Sequence, residues 1–149
     1  MQRNEASVEI DAPPEAVYAR ILDPADRVRW VQGLVESEET APGRFREVVS
    51  DHGMRTTVEV ETVRDEPPLA ADARMTNRQV RATVRNRLEP TESGTRLTVT
   101  IETEYRGLLA RAASGLVSRH AQKNLEQSVE NLKRLVEGVA EPSAASEPA

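Results

Sequence analysis

From Leu34 to Tyr105 the chain alternates apolar and polar residues in runs of strand length, and each run closes on a turn signal. The runs are Leu34 to Glu39, Arg44 to Asp51, Arg55 to Arg64, Ala70 to Thr76, Val80 to Leu88 and Thr95 to Tyr105. Between them stand Ala41-Pro42-Gly43, His52-Gly53, Glu66-Pro67-Pro68, Asn77-Arg78-Gln79 and Glu92-Ser93-Gly94. Parallel neighbours need a crossover of a dozen residues or more, so connections this short predict an antiparallel meander. Such a sheet carries one apolar face that another element has to cover.

The two ends of the chain supply that cover. Val8 and Ile10 alternate with Ser7, Glu9 and Asp11 in a first strand that Ala12-Pro13-Pro14 ends. Glu15 to Leu22 then sets Val17, Ile21 and Leu22 on one helical face, and Asp23-Pro24, as N-cap and first helical residue, starts a second short helix running to Trp30. After the strands, Leu108 to Gly138 takes helical period. Its apolar stripe is Val117, Ala121, Leu125, Ser128, Leu132, Leu135 and Val136, opposite Arg119, Lys123, Glu126, Glu130, Lys133 and Glu137. Gly115 divides off a leading helix whose Leu109, Ala112 and Leu116 lie on a rotated face. The tail from 140 to 149, low in apolar mass, predicts disorder, and residues 1–139 predict a single domain. The class is α+β: a curved antiparallel sheet of about seven strands packed against a long helix.

Composition narrows the chemistry. A chain of 149 residues with 38% hydrophobic composition can form one real core, burying roughly two thirds of its unfolded surface. Cysteine is absent and only His52 and His120 carry imidazoles, which excludes disulfides, thiolate nucleophiles and Cys- or His-rich metal sites; no metal and no cofactor are expected. With 25 acidic against 20 basic residues the net charge is −5, which argues against nucleic acid as partner. Arg81, Arg85 and Arg87 share a strand, but aromatic residues that could stack bases are not interleaved with them. No apolar run approaches the about 20 residues of a membrane span and MQRNEASVEI has no secretory apolar core, so a cytoplasmic protein without an integral membrane segment is expected. Ser114, Ser118 and Ser128 lack a placeable His/Asp arrangement, and no glycine-rich phosphate loop is present.

SVEIDAPPEAVYARILDPADRVRWV, the sheet segment VEVETVRDEPPLAADARMTNRQVRATVRNRLEPTESGTRLTVTIETEY and the amphipathic last helix together resemble the START/SRPBCC superfamily. This group includes START lipid-transfer domains, the birch-pollen allergen family and polyketide cyclase/dehydrase-like proteins. Local signatures include Ala-Pro-Pro-Glu-Ala-Val and Ser-Gly-Thr-Arg-Leu, and the likeness spans Ala6 to Gly138. It implies the helix-grip fold, a sheet wrapped around the long helix with two short helices after the first strand, and an internal cavity for lipids, polyketides, hormones or other apolar molecules. Some members catalyse cyclisation or dehydration there, and others only carry ligand or bind a protein. Fold does not choose among these activities.

Register says which residues face the cavity, because a slip of one residue reverses a strand. Taking the apolar set as inward puts Val80, Ala82, Val84, Asn86 and Leu88 inside, and likewise Leu97, Val99, Ile101, Thr103 and Tyr105. Arg81 then pairs Glu104 and Arg85 lies diagonal to Glu102 on a self-neutralising outer face. If His52-Gly53 is a two-residue turn, Asp51 pairs Met54, and Val58 and Val60 inside bring Glu47 and Phe45 inside.

Two readings of Glu47 stand: an inward acid whose burial suits it to general acid/base work, or a bulge that returns it to water. Asn86, Thr103 and Tyr105 either set polar groups on a wall of Met75, Val84 and Ile101, or sit near solvent at strand ends. Trp30 is core with a partial pocket contact, and Leu88 and Leu116 complete the expected lining. His120 borders the helix stripe and is either a solvated histidine or one that reaches the cavity, while His52 caps a turn. The acid/base candidates are thus Glu47, His120 and Tyr105.

Binding of a small hydrophobic ligand such as a lipid, isoprenoid or polyketide-like molecule is the first expectation. A cyclase/dehydratase using those three residues is the second, and a protein-interaction module the third. The charged outer sheet offers little for a dry interface, so a monomer or weak homodimer is expected.

Overall fold

The computed structural model describes residues 1–51, 53–107 and 114–138, and the side chains of all of these but 114–118. In chain order the elements are β1 (Gln2–Ile10), α1 (Pro14–Ile21), α2 (Pro24–Trp30), β2 (Leu34–Ala41), β3 (Arg44–Asp51), β4 (Met54–Glu66), β5 (Ala70–Thr76), β6 (Val80–Pro90), β7 (Thr95–Tyr105) and α3 (Ser114–Glu137). The expected turn role of His52, the leading helix around Leu109 and Ala112, and the tail lie outside the described residues. Gly115 sits inside the first turn of α3 rather than ahead of it.

The seven strands form one antiparallel sheet in the order β1-β7-β6-β5-β4-β3-β2. Only β1 is out of sequence. It pairs β7, so the sheet is a six-stranded meander with the first strand added at its far side. This is the helix-grip arrangement, and α3 lies against β1 and α2. No helix among the described residues is long and apolar enough to cross a membrane.

The register matches the alternation. Asp51 pairs Met54, Glu47 pairs Val58 and Phe45 pairs Val60; Gly53, at φ +79°, supplies the left-handed residue that a two-residue turn requires. Across β6 and β7, Arg81 faces Glu104, and Arg85 reaches diagonally to an ion pair with Glu102, which holds that carboxyl below its usual range. On the same face Arg87 pairs with Asp72 and Arg96 with Glu9. β1 begins earlier than its apolar alternation suggests. Its inward residue Asn4 is polar, and it is buried because its amide donates to Gln122 of α3 at 3.0 Å.

The main core joins Val8, Ile10, Val17, Ile21, Trp30, Leu97 and Val99 to Leu125, Val129, Leu132 and Leu135 of α3. Ser128 interrupts the stripe of α3 without an unmet polar group, since its hydroxyl donates to the Asn124 carbonyl at 2.7 Å and accepts from the Gln32 N–H at 2.9 Å. Tyr18 fastens α1 to the far end of β4 and β5 through Asp65 and the Ala70 carbonyl; burial, then the Asp65 carboxylate, push its hydroxyl well above the usual tyrosine range.

Two clamps close the N-terminal strand onto the rest. Ser-Gly-Thr after β6 is the first. Thr95, fully buried, donates its hydroxyl to the Ala12 carbonyl at 2.7 Å, and Gly94 lies so close to the end of β1 that an added Cβ would stand 2.2 Å from the Ile10 oxygen and 2.7 Å from the Ala12 nitrogen. Both obstacles are backbone and cannot swing aside. Gly94→Ala is expected to cost about 1–3 kcal/mol in urea denaturation, with the exposed neighbour Ser93→Ala within about 0.5 kcal/mol of the parent. The second clamp is the last turn of α3, where Lys133 donates to the Glu9 carbonyl at 2.8 Å and Glu137 accepts from the Asp11 N–H at 2.8 Å and from Lys133 at 2.7 Å. The Asp11 N–H and then Lys133 hold the Glu137 carboxyl below the usual glutamate range. A depressed folded-state pKa contributes stability above the unfolded value of about 4.3 and loses it as pH falls through the folded one. Glu137→Gln should therefore melt below the parent at pH 7, and the gap should close as the pH falls through the lowered folded-state pKa of Glu137.

Candidate functional site

At the other half of the sheet a second apolar cluster stands apart from the main core: Phe45 on β3, Val58 and Val60 on β4 and Ala73 on β5, with Met75 packed against it. From α2, which Asp23 caps by accepting from the Asp26 N–H and which Pro24 opens with its preset φ, Arg27 reaches toward it. Between the two is a small enclosed cavity of about 30 Å³, lined by Leu22, Arg27, Phe45, Val60, Thr62, Ala73, Met75, Val84 and Asn86. That is room for one or two water molecules.

Glu47 points inward and is 2% exposed, and it is not free. Arg27 grips it with both branches of its guanidinium, Nε to Oε2 at 2.7 Å and Nη2 to Oε1 at 3.0 Å, while Ser37 on β2 donates to Oε2 at 2.8 Å. Arg27 also donates to the Ile21 carbonyl at 3.2 Å, and its guanidinium carbon stands 5.7 Å from the centre of the Trp30 ring. Trp30 is buried in the main core and donates to the Arg20 carbonyl at 3.2 Å. It is a platform under Arg27 rather than part of the cavity wall.

Asn86 is 5% exposed and lines the cavity. Its Nδ2 donates to the Ala71 carbonyl at 3.2 Å, and its Oδ1 is buried without a hydrogen-bond partner.

Of the residues the sequence points to, Phe45, Val60, Met75, Val84 and Asn86 share this wall, with Val58 beside them. Leu88 belongs to the main core and Ile101 packs on its margin. Thr103 is half-buried, flanked by Gln2 and Ala82. The Leu116 side chain lies outside the described residues.

The acid/base candidates have separate partners. Tyr105 hydrogen-bonds Gln2, and burial, which that bond partly offsets, pushes its hydroxyl above the usual range. His120, half-exposed, sets Nε2 2.9 Å from the Asp51 carboxylate. Among the described residues no three His, Asp or Glu side chains form a metal-binding group.

Leu22, Arg27, Thr62 and Ala73 join the wall beyond the residues expected. Arg27 had a signal: an inward acid demands a cation, and Arg27 precedes Trp30 by three residues on a helix whose Trp faces inward.

The comparisons with known proteins fit this architecture. Residues 1–137 match the family described as polyketide cyclase / dehydrase and lipid transport. The chain belongs to that family. No curated protein matches it. Among solved structures, the protein TTHA0849 from Thermus thermophilus is similar with a TM-score of 0.81 at 22% identity, covering 93% of this chain and 99% of that one. A conserved protein from Geobacillus kaustophilus follows with 0.79 at 16% identity, covering 91% and 95%. The di-domain ARO/CYC StfQ of the steffimycin biosynthetic pathway matches with 0.75 at 14% identity over 91% of this chain and 51% of its own length. Identities this low establish a shared fold.

The Arg27–Glu47 pair invites a direct test. Removing one partner strands a buried charge, so Arg27→Met and Glu47→Leu should each cost about 3–5 kcal/mol in urea denaturation. The double variant should recover most of the loss; simply additive costs would show that the two groups are not coupled.

Proposed function

We propose that this protein binds a small hydrophobic molecule, such as a lipid, isoprenoid or polyketide-like compound, between the concave face of the sheet and α2. The observation that carries this reading is the wall over β3 to β6, where Phe45, Val60, Met75 and Val84 surround the few polar groups of Arg27, Thr62 and Asn86. An apolar enclosure with a small number of placed polar groups is the usual make-up of a ligand site. The family's description, which includes lipid transport, supports the same reading.

Space has to be made for the guest. About 30 Å³ admits no ring or acyl chain, so binding requires lining side chains to move. Met75, unbranched and flexible, and Leu22, at the junction between α1 and α2, are the movable parts. Binding is then expected to be accompanied by local rearrangement around α2.

A cyclase or dehydratase is the second reading, supported by the family's description and by the likeness to StfQ. Its best local support is the His120–Asp51 pair, since a carboxylate against one ring nitrogen orients an imidazole for proton exchange. Glu47 is a weaker candidate because Arg27 and Ser37 already engage both its oxygens.

Diphenylhexatriene, a hydrocarbon that fluoresces in apolar surroundings, tests the first reading. Saturable one-to-one binding is expected, weakened at least about tenfold in Val84→Phe, which fills the cavity from a half-buried position, with far-ultraviolet circular dichroism unchanged. Absence of saturable binding, or binding indifferent to Val84→Phe, would overturn it.

A further inference from the structure

The buried amide of Asn86 says what kind of guest the cavity selects. A buried polar atom without a partner is uncommon in a folded protein, since leaving it unmet costs the desolvation of that group. Here the orphan is Oδ1, on a residue 95% buried that lines the cavity. The orientation of the amide is not arbitrary. Nδ2 stands 3.2 Å from the Ala71 carbonyl, a group that only accepts, so the nitrogen must face β5 and the oxygen must be the end left over. A residue of the cavity wall therefore carries an acceptor that lacks a donor.

Its charge state is also determined. Arg27 lines the same cavity, but its cation is matched by Glu47 in a two-branched pair, and three of its N–H groups are engaged with Glu47 and the Ile21 carbonyl. An anionic head group placed there would set two negative charges against one positive charge in a site with little room for water, and would meet the lone pairs of Asn86 Oδ1 besides. A neutral hydroxyl or N–H avoids both penalties: its proton meets Oδ1 while the apolar body rests on Phe45, Val60, Met75 and Val84.

We propose that Asn86 Oδ1 is the polar anchor of the cavity and selects neutral apolar molecules that carry a hydroxyl or N–H donor, such as phenols and alcohols, over carboxylate amphiphiles such as fatty-acid anions. This inference rests on the binding role argued above and narrows its ligand class.

The test uses the full chain and three ligands of one shape, 1-naphthol, 1-methylnaphthalene and 1-naphthoate, as competitors of diphenylhexatriene, which itself has no hydrogen-bonding group. On the wild type, 1-naphthol is expected to compete at a concentration roughly threefold to tenfold below that of 1-methylnaphthalene, the range of one net hydrogen bond, with 1-naphthoate weakest. In Asn86→Leu the advantage of 1-naphthol over 1-methylnaphthalene should disappear while diphenylhexatriene still binds. If diphenylhexatriene binds but naphthol and methylnaphthalene compete equally on the wild type, or naphthoate competes best, the anchor is wrong and the binding role survives; Oδ1 then only holds water. That comparison decides the matter even where Asn86→Leu does not fold. Persistence of the naphthol preference in a folded Asn86→Leu protein overturns the assignment to Asn86. If no probe binds at all, the binding role fails and the anchor with it.

Discussion

One amphipathic helix cannot cover the concave face of a seven-stranded sheet, and the arrangement of the molecule follows from that mismatch. Among the described residues α3 lays its apolar stripe mainly on β1 and on the α2 region, where the main core forms. The inner face of β3, β4 and β5 is left with its own small cluster around Phe45 and Val60, set apart from that core. Part of what faces that cluster is Arg27 of α2, a helix of seven residues. Two clusters, with the small cavity lined by Leu22, Arg27 and residues of β3 to β6 beside the second, are the result.

The Arg27–Glu47 pair belongs to this division. A helix as short as α2 has little intrinsic stability and takes its place from what it touches. Glu47 on β3, Ser37 on β2 and Arg27 on α2 meet in one hydrogen-bonded group, with Trp30 carrying the guanidinium from the side of the main core. Burying two charges adds little net stabilisation, because desolvation offsets the attraction. Its stronger effect is positional: a two-branched contact with fixed geometry sets where α2 sits over β3. The same pairing engages both oxygens of Glu47 and sets the cation of Arg27 against a carboxylate.

Much of this was legible along the chain because side chains on a strand alternate. Val84, Asn86 and Leu88 lie behind Arg85 and Arg87 as the pattern demands, and a two-residue turn at 52 and 53 carried the inward assignment from Val58 across to Glu47. The Ser-Gly-Thr signature was visible too, but its purpose was not. Gly94 is required because the end of β1 passes within contact of its Cα, an approach between residues over eighty positions apart. The polar start of β1 was missed for a related reason: Asn4 reads as surface until Gln122 of α3 arrives to satisfy it.

For Glu47 the amino-acid sequence left two readings open, but by itself it determined the α+β class, the antiparallel order of the meander and the alternation of faces along each strand. These are local properties, set by period, turn chemistry and the sign of each side chain. Only the tertiary structure decided that Glu47 faces inward with Arg27 closed on it, that Trp30 supports Arg27 from the main core, that the oxygen of Asn86 is buried unmet and that the cavity Asn86 lines is about 30 Å³. Each of those depends on where α2 comes to rest against a sheet assembled from later residues. A cavity's size is a small difference between large packed volumes, so one-dimensional pattern does not carry it.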